Sequence, residues 1–410
     1  MQMMVERLLA PHEEAIDAAG IRLVLHTELD GDLDEATLAQ ALVHLHECYP
    51  LSAGRITTRA GEGRAIVRVE ERAAAPVLGR GSDIREEISA PLDWEQGPLL
   101  RVSVVRDGRT RVVMTLPRAF ADAMSYQALH QRLWTIYTAL ATGRPVPAEP
   151  VRPALGPALD DVLAARFTPS KLRDFVAERA RLDTQAPPAL LPALASQGGG
   201  PGTDLNFGIT SVEAGPDLCE KLLQRARNAS LSLNSLVSGA LLTSLRTLFP
   251  THGEPVRMLC TMAVDMRRRL TPPMPAEILQ SAATTTSMRL WIDSRARPED
   301  VGRNVAAQLR ADLDSGAAAM ELAAFPYMLD QHPPSLVITN VGTIAEPPLP
   351  QGLRISRVRL APLGHVPMIF AVISRYQGRL TIDLTHSRAW YTETQIKELS
   401  GHLSATLDAT

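Results

Sequence analysis

Apolar positions crowd residues 21–29, IRLVLHTEL, over the length of a β-strand. In the next stretch, GDLDEATLAQALVHLHECYPLSAGRI, Leu38, Leu42 and Leu45 recur at helical spacing. Asp32 or Asp34 can cap that helix, and Pro50 stops it. Ala65–Val69 reads as a further strand. Leu99, Val102 and Val105 mark another, Asp107–Gly108 is a hairpin signal, and Arg111–Leu116 returns as its partner. Leu129, Leu133, Ile136 and Leu140 then give one apolar stripe to a helix from about Met124 to Leu140.

Residues 143–205 break this rhythm. GRPVPAEPVRPALGPALDD and PPALLPALASQGGGPGTDL are rich in Pro and Gly and read as linkers around one helical segment near 170–182. The periodic style then resumes. A long amphipathic helix is expected over Leu233–Leu248, a strand over Val256–Met262, a strand over 284–290 and a helix over about 298–313. SLVITNVG reads as a strand leading into a turn. MIFAVISRYQGRLTIDLTH reads as a hairpin around Gln377–Gly378, and a helix over about Thr392–Leu407 closes the chain.

Hairpins demand antiparallel pairing, while the alternation of strands and helices points to α/β layers. The expected fold is therefore α/β with mixed sheets in two similar lobes: residues 1–150, a linker region 151–205, and residues 206–410. A length of 410 residues agrees, being long for one core. With 45% hydrophobic residues there is material for two cores; because only 4% are aromatic, Leu, Val, Ile and Ala must fill them.

Charge narrows the partners. The net charge is -3, and no basic tract is longer than Arg267–Arg269, which argues against a nucleic acid or a membrane surface recognised by bulk charge. A local basic patch can still meet an acidic carrier protein. Cys48, Cys219 and Cys260 are sparse and far apart, as expected for reduced core thiols in a cytoplasmic protein. MQMMVERLLAPHEEAI lacks the pattern of a signal peptide, and no apolar run approaches the ~20 residues that span a bilayer. A cytoplasmic monomer is the expectation.

Candidate chemistry starts at TLPRAFADAMSYQALHQRLWTIY, residues 115–137, a strand end, a short turn and an amphipathic helix. Taken with PLDWEQGPLLRVSVV, SLSLNSLVSGALLTSL, TMAVDMRRRL, ITNVG and YQGRLTIDLTHSRAWYT, the ordered set resembles the condensation-domain and chloramphenicol-acetyltransferase-like superfamily. It is most similar to the stand-alone, polyketide-associated acyltransferases such as the phthiocerol dimycocerosyl transferases. The resemblance spans nearly the whole chain. It implies a two-lobed pseudo-dimer of acetyltransferase-like domains with a central tunnel. It also implies no bound cofactor and no metal, but an acyl donor carried on phosphopantetheine or CoA. The substrate would be a small molecule or an acyl group tethered to a carrier protein.

The motif itself departs from the family. HHxxxDG becomes Pro117-Arg118-Ala119-Phe120-Ala121-Asp122-Ala123, so the family's general base is replaced by Arg118, which stays protonated and cannot act as one. Ala123 replaces the motif glycine, so the turn need not adopt a strongly positive φ. Asp122 matches; in the family it pairs with an arginine of the second lobe, a part that Arg267 fits, and its alternative is a base. Arg118 either plugs the tunnel and pairs with a carboxylate, or clamps a carboxylate, phosphate or enolate oxygen. His365, in APLGHVPMIF, is a loop residue or a relocated base. Asn340 can orient a carbonyl or end its strand in a turn. Ser125 and Phe120 are candidates to line the tunnel, Ser125 also to cap the helix. His386 reads as a surface strand end. His44, His46 and Glu47 lack the spacing of a zinc helix and read as surface residues. GGGPG at 198–202 lacks the Lys-Ser/Thr of a phosphate loop and reads as a flexible linker.

Three functions remain open on the sequence. One is an enzyme with altered chemistry, transferring or cyclising an acyl or polyketide-type substrate by positioning and electrostatics. Another is a docking module without catalysis. The third is an ordinary O-acyltransferase with a relocated base such as His365.

Overall fold

A computed structural model describes residues 4–59, 61, 63–70, 73–151, 155–192, 206–249, 253–328 and 332–409. The GGGPG stretch lies outside them. The elements begin with β1 (Met4–Leu8), α1 (Pro11–Ala18), β2 (Arg22–Asp30), α2 (Glu35–Cys48), β3 (Arg55–Thr58), β4 (Ala65–Glu70), β5 (Leu78–Gly81) and α3 (Ile84–Ser89). They continue with β6 (Arg101–Arg106), β7 (Thr110–Pro117), α4 (Ala123–Ala141), α5 (Leu159–Ala164), α6 (Pro169–Gln185), β8 (Phe207–Ala214), α7 (Pro216–Asn228), α8 (Leu233–Arg246) and β9 (Val256–Asp265). The last are β10 (Ala283–Ile292), α9 (Pro298–Asp314), α10 (Ala317–Ala323), β11 (Leu336–Thr343), β12 (Arg354–Leu363), β13 (Phe370–Tyr376), β14 (Arg379–Ser387) and α11 (Glu393–Asp408).

The chain forms two compact units. One comprises Met1–Leu159 with Met266–Ala282 and Ile344–Gly364; the other comprises Asp160–Asp265, Ala283–Thr343 and His365–Thr410. Two stretches of the C-terminal half thus fold with the N-terminal half. Both large sheets are mixed, as hairpins combined with crossovers require.

In the first unit a five-stranded sheet runs β12-β2-β7-β6-β5, parallel only at β5–β6, beside a three-stranded sheet β1-β4-β3. Strand β2 lies inside the sheet, and its residues Arg22 to Leu29 are all buried. Asp34 caps α2, accepting from the Ala36 and Thr37 amides at 2.9 and 3.3 Å. Helix α4 buries Tyr126, Leu129, Leu133, Trp134 and Ile136, so the stripe read from the sequence is its core face as far as Ile136, while Leu140 is half-buried. Polar contacts also hold it: His130 Nε2 meets Thr27 Oγ1 of β2 at 2.8 Å, and Tyr137 Oη accepts from the Asp34 amide at 3.1 Å. The N-terminus of α4 is therefore a fixed platform.

In the second unit a six-stranded sheet runs β10-β9-β11-β13-β14-β8. Its core takes Leu236, Val237, Leu241 and Leu245 from α8 and Ile396, Leu399 and Leu403 from α11. The β13–β14 hairpin turns at Gln377 and Gly378, both at positive φ (49° and 74°), the geometry a two-residue turn needs. The segment read as a helix near 170–182 is α6, and it is not a free spacer. Its Asp183 accepts from Arg257 at 3.1 Å and from Arg289 Nε at 2.7 Å, fastening it to β9 and β10.

His386 requires a correction. It is 3% exposed rather than at the surface, because β14 is an interior strand flanked by β13 and β8. Gly208 on β8 faces it, and a Cβ there would lie 2.1 Å from the ring carbon Cε1. Neither ring nitrogen has a hydrogen-bond partner among the described residues, and burial pulls its pKa down to about 4. His46, read as a surface residue, is half-buried and bonds Ser52 Oγ and the Ala73 carbonyl; His44, also half-buried, pairs with exposed Glu47. No helix is long and apolar enough to cross a membrane among the described residues.

Candidate active site

Strand β7 delivers the chain to Pro117, a single 3-10 turn covers Arg118–Phe120, and α4 starts at Ala123. The turn is anchored by the Arg118 amide, which donates to the Ile21 carbonyl at 2.9 Å. Asp122 is the N-cap of α4. Its Oδ1 accepts from the Met124 and Ser125 amides, each at 3.0 Å, and Ser125 Oγ accepts in return from the Asp122 amide at 3.1 Å. That is a capping box with serine in the place usually held by glutamate. Ser125 is therefore the third helical residue, and the cap is Asp122. Ala123 is the first helical residue and has no positive φ, so alanine fits where the motif has glycine.

The same carboxylate meets Arg267. Arg267 Nη2 donates to Asp122 Oδ1 at 3.1 Å, to Oδ2 at 3.0 Å and to the Gln280 carbonyl at 2.7 Å; Nη1 donates to the Pro275 carbonyl at 3.0 Å. The Ala282 amide adds a bond to Oδ2 at 2.7 Å. The two side chains are 5% and 3% exposed, so each charge depends on the other. All of this lies within the first unit, since Arg267, Gln280 and Ala282 belong to its 266–282 segment. With both oxygens taken by helix amides, a guanidinium and the Ala282 amide, Asp122 is an architectural acceptor.

Arg118 is held differently. Its Nη1 donates to Ser281 Oγ at 2.6 Å and to the Ala121 carbonyl at 3.2 Å. Among the described residues no carboxylate forms an ion pair with it, and Nε and Nη2 carry no bond. The side chain is half-buried. Burial draws its pKa below the usual arginine range while nearby Asp122 acts in the opposite direction. A cation fixed by one nitrogen, with two others uncommitted, suits an external acceptor.

Sequence comparisons fit this framework. Residues 206–385 match the family described as phthiocerol/phthiodiolone dimycocerosyl transferase C-terminus. A phthiocerol/phthiodiolone dimycocerosyl transferase from Mycobacterium tuberculosis (strain ATCC 25618 / H37Rv) is 24% identical over 403 residues, covering 92% of each chain. Polyketide synthase associated protein 5 from Mycobacterium tuberculosis superposes with a TM-score of 0.76 at 21% identity, over 98% of this chain and 97% of that one. The first condensation domain of the CDA synthetase superposes with a TM-score of 0.73 at 18% identity, over 98% and 95%. The chain shares the fold of these solved structures over nearly its whole length.

The remaining candidates separate. Phe120 is 2% exposed and Ser125 1%, so both are packed inside the first unit and offer almost no surface to a ligand. His365 opens the last segment of the second unit, and its ring lies 4.9 Å from that of Phe207. Asn340 is exposed on β11, and its Oδ1 accepts from the Gly342 amide at 2.9 Å, where the β11–β13 register shifts. That is the local turn role open to it from the sequence. Cys260 is buried, which pushes its thiol up to about 12; Cys219 is buried and raised as well.

One histidine beside the motif turn was passed over by sequence reasoning. His12, the second residue of α1, belongs to a helix packed against the Arg118–Phe120 turn. Burial and then the Arg118 charge lower its pKa to about 3, so the ring is neutral at physiological pH. The available signal was a histidine just after Pro11 at a helix start, and it carried no motif spacing.

Proposed function

We propose that this protein is an acyltransferase-like enzyme that works without the superfamily's usual histidine, using Arg118 as a fixed electrophilic clamp. The donor would be an acyl or polyketide-type thioester on phosphopantetheine or CoA, free or tethered to a carrier protein. A hydroxyl or amine would attack the thioester carbon, from a second molecule for transfer or from the same chain for cyclisation. Negative charge then grows on the carbonyl oxygen, and Arg118 Nε and Nη2 are the groups that would receive it. The single observation that carries this reading is the way Arg118 is held, by Nη1 alone and with no carboxylate on it. A structural ion pair would put a carboxylate on the guanidinium, as Asp122 sits on Arg267, which is engaged through both Nη1 and Nη2. The sequence relatives support the reading in their names, being transferases.

Intact-mass spectrometry of an acyl-loaded carrier protein, mixed with this protein and a pool of alcohols and amines, tests it. Enzyme-dependent unloading with a new ester, amide or lactone is expected. Arg118→Gln should lower turnover by ~10²–10³, the loss typical of one oxyanion donor. If the acyl load survives every donor and acceptor, the transfer reading is wrong, and a pull-down of unloaded carrier protein would favour a docking module.

A further inference from the structure

Among the described residues, one side chain reaches the Arg118 guanidinium from outside its own turn, and that is Ser281. We infer that Ser281 is the positioning residue of Arg118: its hydroxyl fixes the guanidinium through Nη1 and leaves Nε and Nη2 to the substrate oxygen. This rests on the acyl-transfer reading above.

Ser281 is half-buried in the extended link just ahead of β10, outside any helix or strand. A residue in such a link keeps a fixed place only if its neighbours are held, and both are. On one side the Gln280 carbonyl accepts from Arg267 Nη2 at 2.7 Å and from Ser125 Oγ at 3.3 Å, while Gln280 Nε2 donates to the Pro157 carbonyl at 2.6 Å. On the other side the Ala282 amide donates to Asp122 Oδ2 at 2.7 Å, and the Ala282 carbonyl accepts from the Met266 amide at 2.9 Å. The frame that holds the motif turn thus also holds the backbone on both sides of Ser281, all within the first unit. Its hydroxyl receives Arg118 Nη1 at 2.6 Å, the shorter of the two bonds that nitrogen makes; the other, 3.2 Å to the Ala121 carbonyl, stays inside the turn.

A hydroxyl suits this task better than a carboxylate. A long side chain keeps no single direction unless its end is tied, and tying it in advance removes that entropy cost from the reaction. A carboxylate would tie the end but would also offset the charge that a developing oxyanion needs. A hydroxyl accepts the hydrogen bond and carries no net charge, so the guanidinium is fixed and stays positive. Donors held in place beforehand need not reorganise as charge grows on the thioester oxygen. Ser281 acts through Arg118, and its hydroxyl neither gains nor loses a proton.

The test is a double-mutant cycle on turnover of the acyl-loaded carrier protein: wild type, Ser281→Ala, Ser281→Thr, Arg118→Gln and the Arg118→Gln/Ser281→Ala pair, after thermal melting confirms the fold of each. Ser281→Ala should lower turnover by ~10–10² with KM little changed, the loss expected when a reacting group is misplaced. Ser281→Thr keeps the hydroxyl and should recover most of that loss. In the Arg118→Gln background, Ser281→Ala should remove almost nothing further, because its effect passes through the guanidinium. An equal loss in both backgrounds would mark a merely structural serine and overturn the inference, as would an undiminished turnover in Ser281→Ala; either result leaves the transfer reading standing. An inactive wild type would overturn the transfer reading and the inference with it. An activity-free arm follows the Arg118 guanidinium by NMR. Its Nη hydrogens should exchange with water faster in Ser281→Ala and regain protection in Ser281→Thr, and unchanged exchange would sink the pairing whatever the turnover.

Discussion

Asp122 offers the sharpest separation of architecture from catalysis. Asp122→Ala removes the N-cap of α4, which costs about 1 kcal/mol at a typical site. It also strands Arg267, whose side chain is 3% exposed, and breaking one half of a buried pair costs about 3–5 kcal/mol. The Ala282 amide loses its acceptor as well. The expected total is about 4–6 kcal/mol, a large part of the roughly 5–15 kcal/mol available to a folded protein. Asp122→Asn is gentler, because one oxygen can still cap the helix. Its new NH2 group must face either the Ala282 amide or Arg267, donor against donor, so a loss of about 2–3 kcal/mol is expected. Urea unfolding followed by tryptophan fluorescence and circular dichroism measures both, with buried Trp134 on α4 as an internal reporter. If Asp122→Asn abolished turnover while losing less than about 0.5 kcal/mol, Asp122 would be a base and the architectural assignment would be wrong.

Two further outcomes follow from buried histidines. Trp134 Nε1, a donor only, gives its hydrogen to His130 Nε2 at 2.8 Å, so the neutral ring must carry its proton on Nδ1, and burial holds its pKa down to about 3. The folded state refuses a proton that the unfolded chain accepts near 6.5, so this contribution is intact above pH 6.5 and is lost as pH falls toward 3; from pH 7 to pH 5 the loss is about 2 kcal/mol. His130→Gln should flatten that part of the urea-midpoint profile, and an unchanged slope would refute the assignment. Gly208→Ala places a methyl 2.1 Å from the His386 ring and should cost about 1–3 kcal/mol by overpacking. Thermal melting should show much of that loss recovered in the Gly208→Ala/His386→Ala double variant, and strict additivity would mean that the two residues do not press on each other.

Much of the fold was legible because periodicity is local. The stripe of Leu129, Leu133 and Ile136 lies on the core face of α4, and Gln377–Gly378 is a turn because few residue pairs tolerate positive φ. The exchange of segments between halves was not legible. RISRVRLAPL, now β12, pairs with β2 some 330 residues earlier by its number, and nothing local in either strand announces the other. His386 misled for a related reason: a strand end looks exposed until the neighbouring strands are known. The site divided in the same way. Asp122, Arg118 and Arg267 stood in stretches with a recognisable pattern, whereas the packing of α1 against the motif turn was not legible.

That division explains how the motif can lose its histidine without losing its shape. The turn is held by Asp122, through helix amides, a guanidinium and the Ala282 amide, and by the Arg118 main chain through Ile21. None of these bonds uses the side chain at position 118. That side chain is therefore a choice of chemistry laid on a fixed frame, and arginine changes what the frame presents: a permanent positive charge in place of a proton acceptor. A permanent charge stabilises an oxyanion but cannot take a proton.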